Sequence, residues 1–412
     1  MNSIVKKALL TLSLVGLLTA SAVADSYLYV VNSIGETLSR INRDNGSVDN
    51  NLISLGSDIN SAPNQLVVRD TLAYVVCSVT DEIQVIDLNS SSTVGFISLP
   101  AGSNPYWLAC YNDTTAYVSL LANNGVAKID LISRTVVDQF PVGKSPAGLA
   151  IARHKLYVVN SGFDFGTFTY DPGTVTVYDI GPDTLVETIA TGLNPQFVDR
   201  DRQGRLHVVC TGNYSSVFGA VYLLDPAADE VVDSVLTGGS PGQIAIGPDN
   251  IAYLAAGGFT EDGFVFSYDA GSGAVYHASA NPLAVDQNCL AVTASADSTV
   301  YAASFTDFVQ RIDSSGAELN RYAVGDGPIH QAPAYRPGDV NGDFEVDLSD
   351  IIYLVNSLFL GGPPPAWPAW RANVNGDFNR DLADVIHLVN YSFLGGPAPK
   401  VGPTWIQQGF ER

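Results

Sequence analysis

The stretch from 143 to 179 decides the fold. It reads Gly143-Lys-Ser-Pro146-Ala-Gly-Leu149-Ala, then Leu156-Tyr157-Val-Val-Asn160, then Thr174-Val-Thr-Val-Tyr-Asp179. A proline turn enters a short apolar run, a Tyr-Val run follows, and an alternating run closes on Asp. Each piece is rich in β-branched or aromatic residues and bounded by turn formers, which is the signature of a strand.

The same three marks recur on both sides. The Tyr-Val mark appears at Tyr29, Tyr74, Tyr117, Tyr157, His207, Tyr253 and Tyr301. The second appears as Arg40-Ile41-Asn42, Ile86-Asp87, Ile129-Asp130, Tyr178-Asp179, Leu224-Asp225, Tyr268-Asp269 and Ile312-Asp313. The turn mark falls at Pro63, Pro105, Pro146, Pro195, Pro241, the Gln287 position and Pro328, at intervals of 42, 41, 49, 46, 46 and 41 residues. Four short strands per unit of about 44 residues is the period of a β-propeller blade. The expected fold is therefore an all-β seven-bladed propeller over 25–337. Six or eight blades, or an open solenoid, are the alternatives, and a solenoid needs capping units that the sequence lacks. Because the chain enters at a second strand near Tyr27, blade one lacks its inner strand. The segment around Gln331 to Tyr335 can supply it, so that the N- and C-terminal strands pair and close the ring.

The pattern Gly-x-x-Pro, Leu-Tyr-Val-Val-Asn and Val-x-Val-x-Asp resembles the secreted YVTN-type seven-bladed propellers of bacteria and archaea. That likeness covers roughly residues 27 to 336. It implies a fold more than a function, because such scaffolds carry surface-layer proteins, binding modules and relatives of lactonases and quinone-dependent enzymes.

Three connections between second and third strands are longer than the rest: Asn160 to Gly173, Thr211 to Gly219 and Ala256 to Gly263. They carry Phe163, Phe165, Phe168, Tyr170, Tyr214, Phe218 and Phe259, a candidate ligand face on loops held by a rigid frame. The bland alternative is that these rings cover one another. Asn64, Asn104, Asn194, Asp286, Asn288 and His330 sit at turn-to-strand positions from which they can reach a central funnel, though Asn is also a favoured turn residue in its own right. A lactonase-like hydrolase with a central divalent ion is the enzymatic alternative. The sequence has no spaced ligand cluster, Gly-x-Ser-x-Gly elbow or His-Glu-x-x-His motif to place it, and no catalytic residue is assigned.

After Pro337 the sequence changes character. Asp339-Val-Asn341-Gly-Asp343-Phe-Glu345-Val-Asp347-Leu-Ser-Asp350 and Asn373-Val-Asn375-Gly-Asp377-Phe-Asn379-Arg-Asp381-Leu-Ala-Asp384 are two copies 34 residues apart. Calcium loops place oxygen ligands at positions 1, 3, 5, 7, 9 and 12. The first set is Asp339, Asn341, Asp343, the carbonyl of Glu345, Asp347 and Asp350; the second is Asn373, Asn375, Asp377, the carbonyl of Asn379, Asp381 and Asp384. These hard oxygen donors suit calcium, two ions in all. Amphipathic helices are expected over Ser349 to Phe359 and Ala383 to Phe393, each stopping at Gly-Gly-Pro.

The doubled motif resembles a type I dockerin, an EF-hand-like calcium module, over residues 338–396. That resemblance implies docking to a cohesin-like protein domain, with Leu348, Ser349, Leu382 and Ala383 at the loop positions that help select the partner. Phe344 and Phe378 stand where the family has Gly, and Asn373 stands where it has Asp, which weakens the second loop. The alternative is a module that only staples the propeller end.

The ends and the composition set the compartment. Lys6 and Lys7, the apolar run Ala8 to Leu18 and Ala22-Val23-Ala24 read as a signal peptide over 1–24, with a retained anchor as the alternative. Residues 397–412 form a C-terminal tail. Against 20 basic residues stand 42 acidic ones, for a net charge of −22, which argues against a nucleic-acid or anionic-membrane surface. Cys77, Cys110, Cys210 and Cys289 read equally as buried thiols or one disulfide. The combined expectation is a secreted binding or scaffold protein with an extracellular ligand on the propeller face.

Overall fold

The computed structural model describes residues 27–257, 262–295, 297–335, 337–341, 346–366, 369–377 and 379–400. Six four-stranded antiparallel sheets and one five-stranded sheet are arranged as seven blades, and a small two-helix unit follows them.

The blade marks have direct structural causes. The Asp or Asn that ends each third strand turns the chain toward the outer strand, because its side-chain oxygen accepts backbone N–H groups two or three residues on. Asn42 accepts from Asp44 at 2.9 Å, Asp87 from Asn89 at 2.8 Å and Asp130 from Ile132 at 2.8 Å. Asp179, Asp225, Asp269 and Asp313 do the same for Gly181, Ala227, Ser272 and Ser315. The Tyr of each second strand is core: Tyr29, Tyr117, Tyr157, Tyr253 and Tyr301 are essentially fully buried between blades.

Blade five has His207 in that place, equally buried, and a polar network replaces the phenol. Nδ1 of His207 lies 2.6 Å from the Tyr268 hydroxyl and Nε2 lies 3.1 Å from Asp201, which also accepts from Arg205.

Outer strands such as Thr184–Ala190 are mostly exposed, whereas inner and second strands supply the clusters between neighbouring sheets. Closure follows the expected route. Pro328–Pro333 pairs antiparallel with Tyr27–Asn32, Tyr29 opposite Ala332 and Val31 opposite His330. One mark moves: the inner strand of blade seven is Cys289–Ala294, two residues past the Gln287 position, because no proline sets its start and Asn288 (φ 61°) makes the turn. In blade six the outer strand is split into Val275–His277 and Leu283–Val285, both paired to Gly263–Asp269.

Gly219 immediately precedes one third strand and Gly263 begins another, where the next blade's turn presses in. A Cβ at Gly219 would lie 2.0 Å from Pro241 Cδ, and one at Gly263 would lie 1.8 Å from the Asp286 carbonyl. All four cysteines are free and buried. Burial pushes the thiols of Cys77, Cys210 and Cys289 up to about 12, so they are inert packing groups.

Helix α1 (Leu348–Phe359) and helix α2 (Leu382–Leu394) each start one residue earlier than the periodicity predicts. Asp347 and Asp381 are the N-caps, and Asp350 and Asp384 reach back to complete a capping box in each. Ile351, Leu354, Val385 and Leu388 pack with Val340, Ala372 and Val374 into a small core of their own. No helix among the described residues is long and apolar enough to cross a membrane. The signal-peptide reading of 1–24 and the tail after Lys400 lie outside the described residues.

Candidate functional site

Two cavities open at opposite ends of the central channel. The upper one, about 760 Å³, lies where inner strands begin and is walled by Tyr106, Trp107, Gln196, Phe197, Thr211, Tyr214, Gln243 and His330, among others. The lower one, about 370 Å³, lies toward the far ends of those strands and includes Arg69, Asp199, Arg200, Gln331 and Tyr335. Trp107 and Gln243 border both, and so form the waist between them.

The upper funnel is aromatic, and among the described residues it carries no carboxylate, lysine or arginine on its wall. The Trp107 ring meets Phe197 edge-on at 5.8 Å and His330 edge-on at 5.3 Å, and Tyr106 lies 6.5 Å from Phe197. His330 is buried, and the Leu66 backbone N–H donates to its Nδ1 at 3.3 Å. An acceptor Nδ1 fixes the neutral tautomer with the proton on Nε2. With no anion beside it, burial lowers the imidazole to about 3. Burial likewise raises the Tyr106 phenol well above its ordinary value. Tyr214 accepts from Gln196 Nε2 at 3.2 Å, and that amide also donates to Asn194 at 3.0 Å, so the rim is tied to the turn below it.

The lower cavity is different in charge. Asp199 accepts from the backbone of Ile246 at 2.8 Å and Arg200 at 2.7 Å, yet burial still raises its carboxyl to about 6. Arg69 pairs with Asp113 at 2.8 Å.

Of the expected ligand-face rings among the described residues, Tyr214 alone borders the funnel. Phe163, Phe165, Phe168 and Tyr170 stand on a hairpin of their own (Phe163–Asp164 with Thr169–Tyr170), where the rings touch one another while Phe165 and Phe168 stay exposed. Phe163 contacts Phe165 at 5.0 Å, Tyr170 at 5.2 Å and Phe168 at 6.1 Å. Phe218 is exposed on the rim loop of blade five. Phe259 lies outside the described residues.

Among the turn residues, Asn64 and His330 border the funnel. Asn104, Asn194 and Asn288 have φ of 49°, 55° and 61° and serve the turns. Asp286 pairs with Arg321 at 2.9 Å. The rings that do wall the funnel, Tyr106, Trp107 and Phe197, were readable as the residues just after Pro105 and Pro195, at the same offsets from the turn as Ile329 and His330 from Pro328. The turn proline itself drew attention away from them.

In the C-terminal unit, Asp350 accepts N–H from Val340, Asn341 and Asp347, and Asp384 accepts from Val374, Asn375 and Asp381. Burial raises both carboxyls to about 6 against those bonds. The second loop fits a hard cation: Asn373 is fully buried, and its Oδ1 has no donor. At the first loop Arg371 Nη1 lies 2.7 Å from Asp339 Oδ2, so a ligand oxygen there already has a cationic partner. Gly342, Asp343, Phe344, Glu345 and Phe378 lie outside the described residues. Among the described residues, no three His, Cys, Asp or Glu side chains converge as a metal cluster.

Leu348, Ile352 and Phe359 recur 34 residues later as Leu382, Ile386 and Phe393. All six are more than half exposed. On a helix, spacings of four and eleven return to one face, so each triad is a stripe opposite the packed side. Ser349 is half-buried and accepts from Asn341 Nδ2 at 2.8 Å, whereas Ala383 is exposed. Arg371 also stacks on Tyr335, 4.9 Å from its ring centroid, which places the unit at the lower end of the channel.

No family model matches the chain, and no curated protein does. Solved structures do resemble it. A functionally unknown protein from Desulfotomaculum acetoxidans is 12% identical with a TM-score of 0.60, over 75% of this chain and 99% of that one. A candidate 6-phosphogluconolactonase of Bacteroides uniformis is 12% identical with a TM-score of 0.57, over 75% and 99%. Kuenenia stuttgartiensis hydrazine synthase is 14% identical with a TM-score of 0.55, over 66% and 89%. At such identity the likeness concerns the fold alone.

Proposed function

We propose that this protein is a secreted, non-catalytic recognition scaffold, whose propeller presents a ligand face while the C-terminal module docks it, through calcium, to a cohesin-like domain. The observation that carries the docking reading is the duplicated exposed stripe, Leu348-Ile352-Phe359 and Leu382-Ile386-Phe393, on helices whose other faces are packed. Six large apolar side chains held in water at matched positions favour a partner surface. The 34-residue repeat allows one partner groove to accept either helix. Separation of functions supports the same reading: the module hangs from Tyr335 at the lower end, and the upper funnel stays open.

Calcium would be held by Asp339, Asn341, Asp343, the Glu345 carbonyl, Asp347 and Asp350, and by Asn373, Asn375, Asp377, the Asn379 carbonyl, Asp381 and Asp384. Its chemistry there is structural, crosslinking each loop to the start of its helix. The Arg371–Asp339 pair makes the first loop the weaker one, the reverse of the order that Asn373 implied.

Calorimetric titration of the chelator-stripped full chain with calcium, followed by helical circular dichroism, tests the metal. Two binding events are expected, and no binding sinks the reading. Docking is tested with type I cohesin domains in calcium and in chelator. Binding that requires calcium and is lost in the L348E/L382E double variant is the expected result; cohesin binding unaffected by that variant would remove the stripes from the interface.

A further inference from the structure

We infer that the upper funnel binds an uncharged, ring-shaped and largely apolar small molecule that offers a hydrogen-bond acceptor to Nε2 of His330. The inference rests on the reading of the propeller as a recognition scaffold and names the class of ligand. Three polar groups face this wall, and two of them are buried with nothing among the described residues to satisfy them. His330 spends Nδ1 on the Leu66 N–H, which leaves the Nε2 proton without a partner among the described residues. Gln243, 7% exposed, has an Oε1 with no donor, and Thr211, 2% exposed, has an unpartnered Oγ1. A buried polar atom left without a hydrogen bond is costly, and a fold that keeps two beside one cavity leaves room for a ligand to supply them.

The remaining wall says what kind of ligand. Trp107, Phe197 and Tyr106 present ring edges and faces at 5.8 to 6.5 Å from one another. Flat aromatic walls favour a flat apolar guest. Among the described residues no ionic group lines the cavity to neutralise a charged ligand, and an unpaired charge taken into such surroundings loses its hydration without return. A polyhydroxylated sugar fits poorly, because its hydroxyls outnumber the polar groups offered. The volume, about 760 Å³, lies within the range of roughly 300–1,000 Å³ usual for small-molecule sites.

Ligand-observed saturation-transfer NMR on the full chain tests this with three probes: 1-acetonaphthone, 1-naphthoate and cellobiose. The first is a neutral ring with a carbonyl acceptor, the second the same ring with a charge, and the third a neutral polyol. Acetonaphthone is expected to bind, with naphthoate at least tenfold weaker and cellobiose silent. His330→Asn keeps an acceptor for Leu66 but removes the Nε2 donor, and should weaken acetonaphthone about tenfold. His330→Gln restores a donor at that reach and should bind within about threefold of the parent, its thermal melt confirming a folded chain. Equal binding of naphthoate, or no loss in His330→Asn, overturns the inference. Transfer to cellobiose alone overturns the ligand class and leaves the recognition reading standing. Silence from all three overturns the funnel as a binding site without touching the docking result.

Discussion

Replacing His330 by Asn should change how stability depends on pH, and the size follows from the site. Burial lowers the folded imidazole to about 3, against an ordinary value of 6.5 in the unfolded chain. Between those values the unfolded chain binds a proton that the folded one refuses. The stability His330 permits is therefore whole above about pH 6.5 and is lost as pH falls toward about 3. One pH unit in that window is worth about 1.4 kcal/mol, so by about pH 5 the parent has lost roughly 2 kcal/mol that the variant cannot lose. Asp199 works in the opposite sense. Its folded carboxyl is raised to about 6, so it becomes less destabilising on acidification, but it is present in both proteins and cancels in the difference. Urea unfolding of parent and His330→Asn, compared at about pH 7.5 and about pH 5, is the assay. The gap between the two should close or invert by roughly 2 kcal/mol on acidification. Parallel profiles, within about 0.5 kcal/mol, would mean that His330 titrates like an exposed histidine and that the funnel wall does not enclose it.

Other perturbations probe the frame. Gly219→Ala places a methyl 2.0 Å from Pro241 Cδ and should cost about 2–3 kcal/mol in urea unfolding. Gly102→Ala meets nothing within 4 Å and carries only the strain of its φ of 72°, about 1 kcal/mol; equal costs would contradict the blade-to-blade contact. Tyr157→Phe removes a hydroxyl that donates to Asp229 at 2.6 Å and should destabilise by about 1–2 kcal/mol. Tyr117→Phe, whose hydroxyl is buried without a partner, should be neutral or stabilising by thermal melt. A His207→Tyr change should lower stability more than either tyrosine substitution, because it breaks the bond to Tyr268 and forces a larger ring into a fully buried site, and differential scanning calorimetry reads the loss.

Much of the frame was legible in the residues because its causes are local. The Asp or Asn closing each third strand accepts one or two N–H groups from the turn that follows, so seven such marks meant seven hairpins. A Tyr-Val strand needs a fully buried phenol site, and only stacked blades provide one so regularly. The ring closure was legible too, since blade one was visibly missing a strand and the chain carried one to spare. Helices α1 and α2 were announced by period and by their Asp caps.

What lines the funnel depended on which residue after each turn proline faces the axis. That is set by a register shift near the start of the inner strands, between Pro105 and Leu108 for instance, and local pattern does not encode it. The aromatic loops are long and exposed, but four of their rings gather on one hairpin around Phe163 and away from the funnel. Similarly, only the folded unit brings Arg371 onto Asp339 across 32 residues. Sequence alone determined the architecture, because strand period, turn chemistry and capping act over a few residues. Tertiary structure decided the site, because a cavity is made where distant strands fail to fill space, and no single strand carries that information.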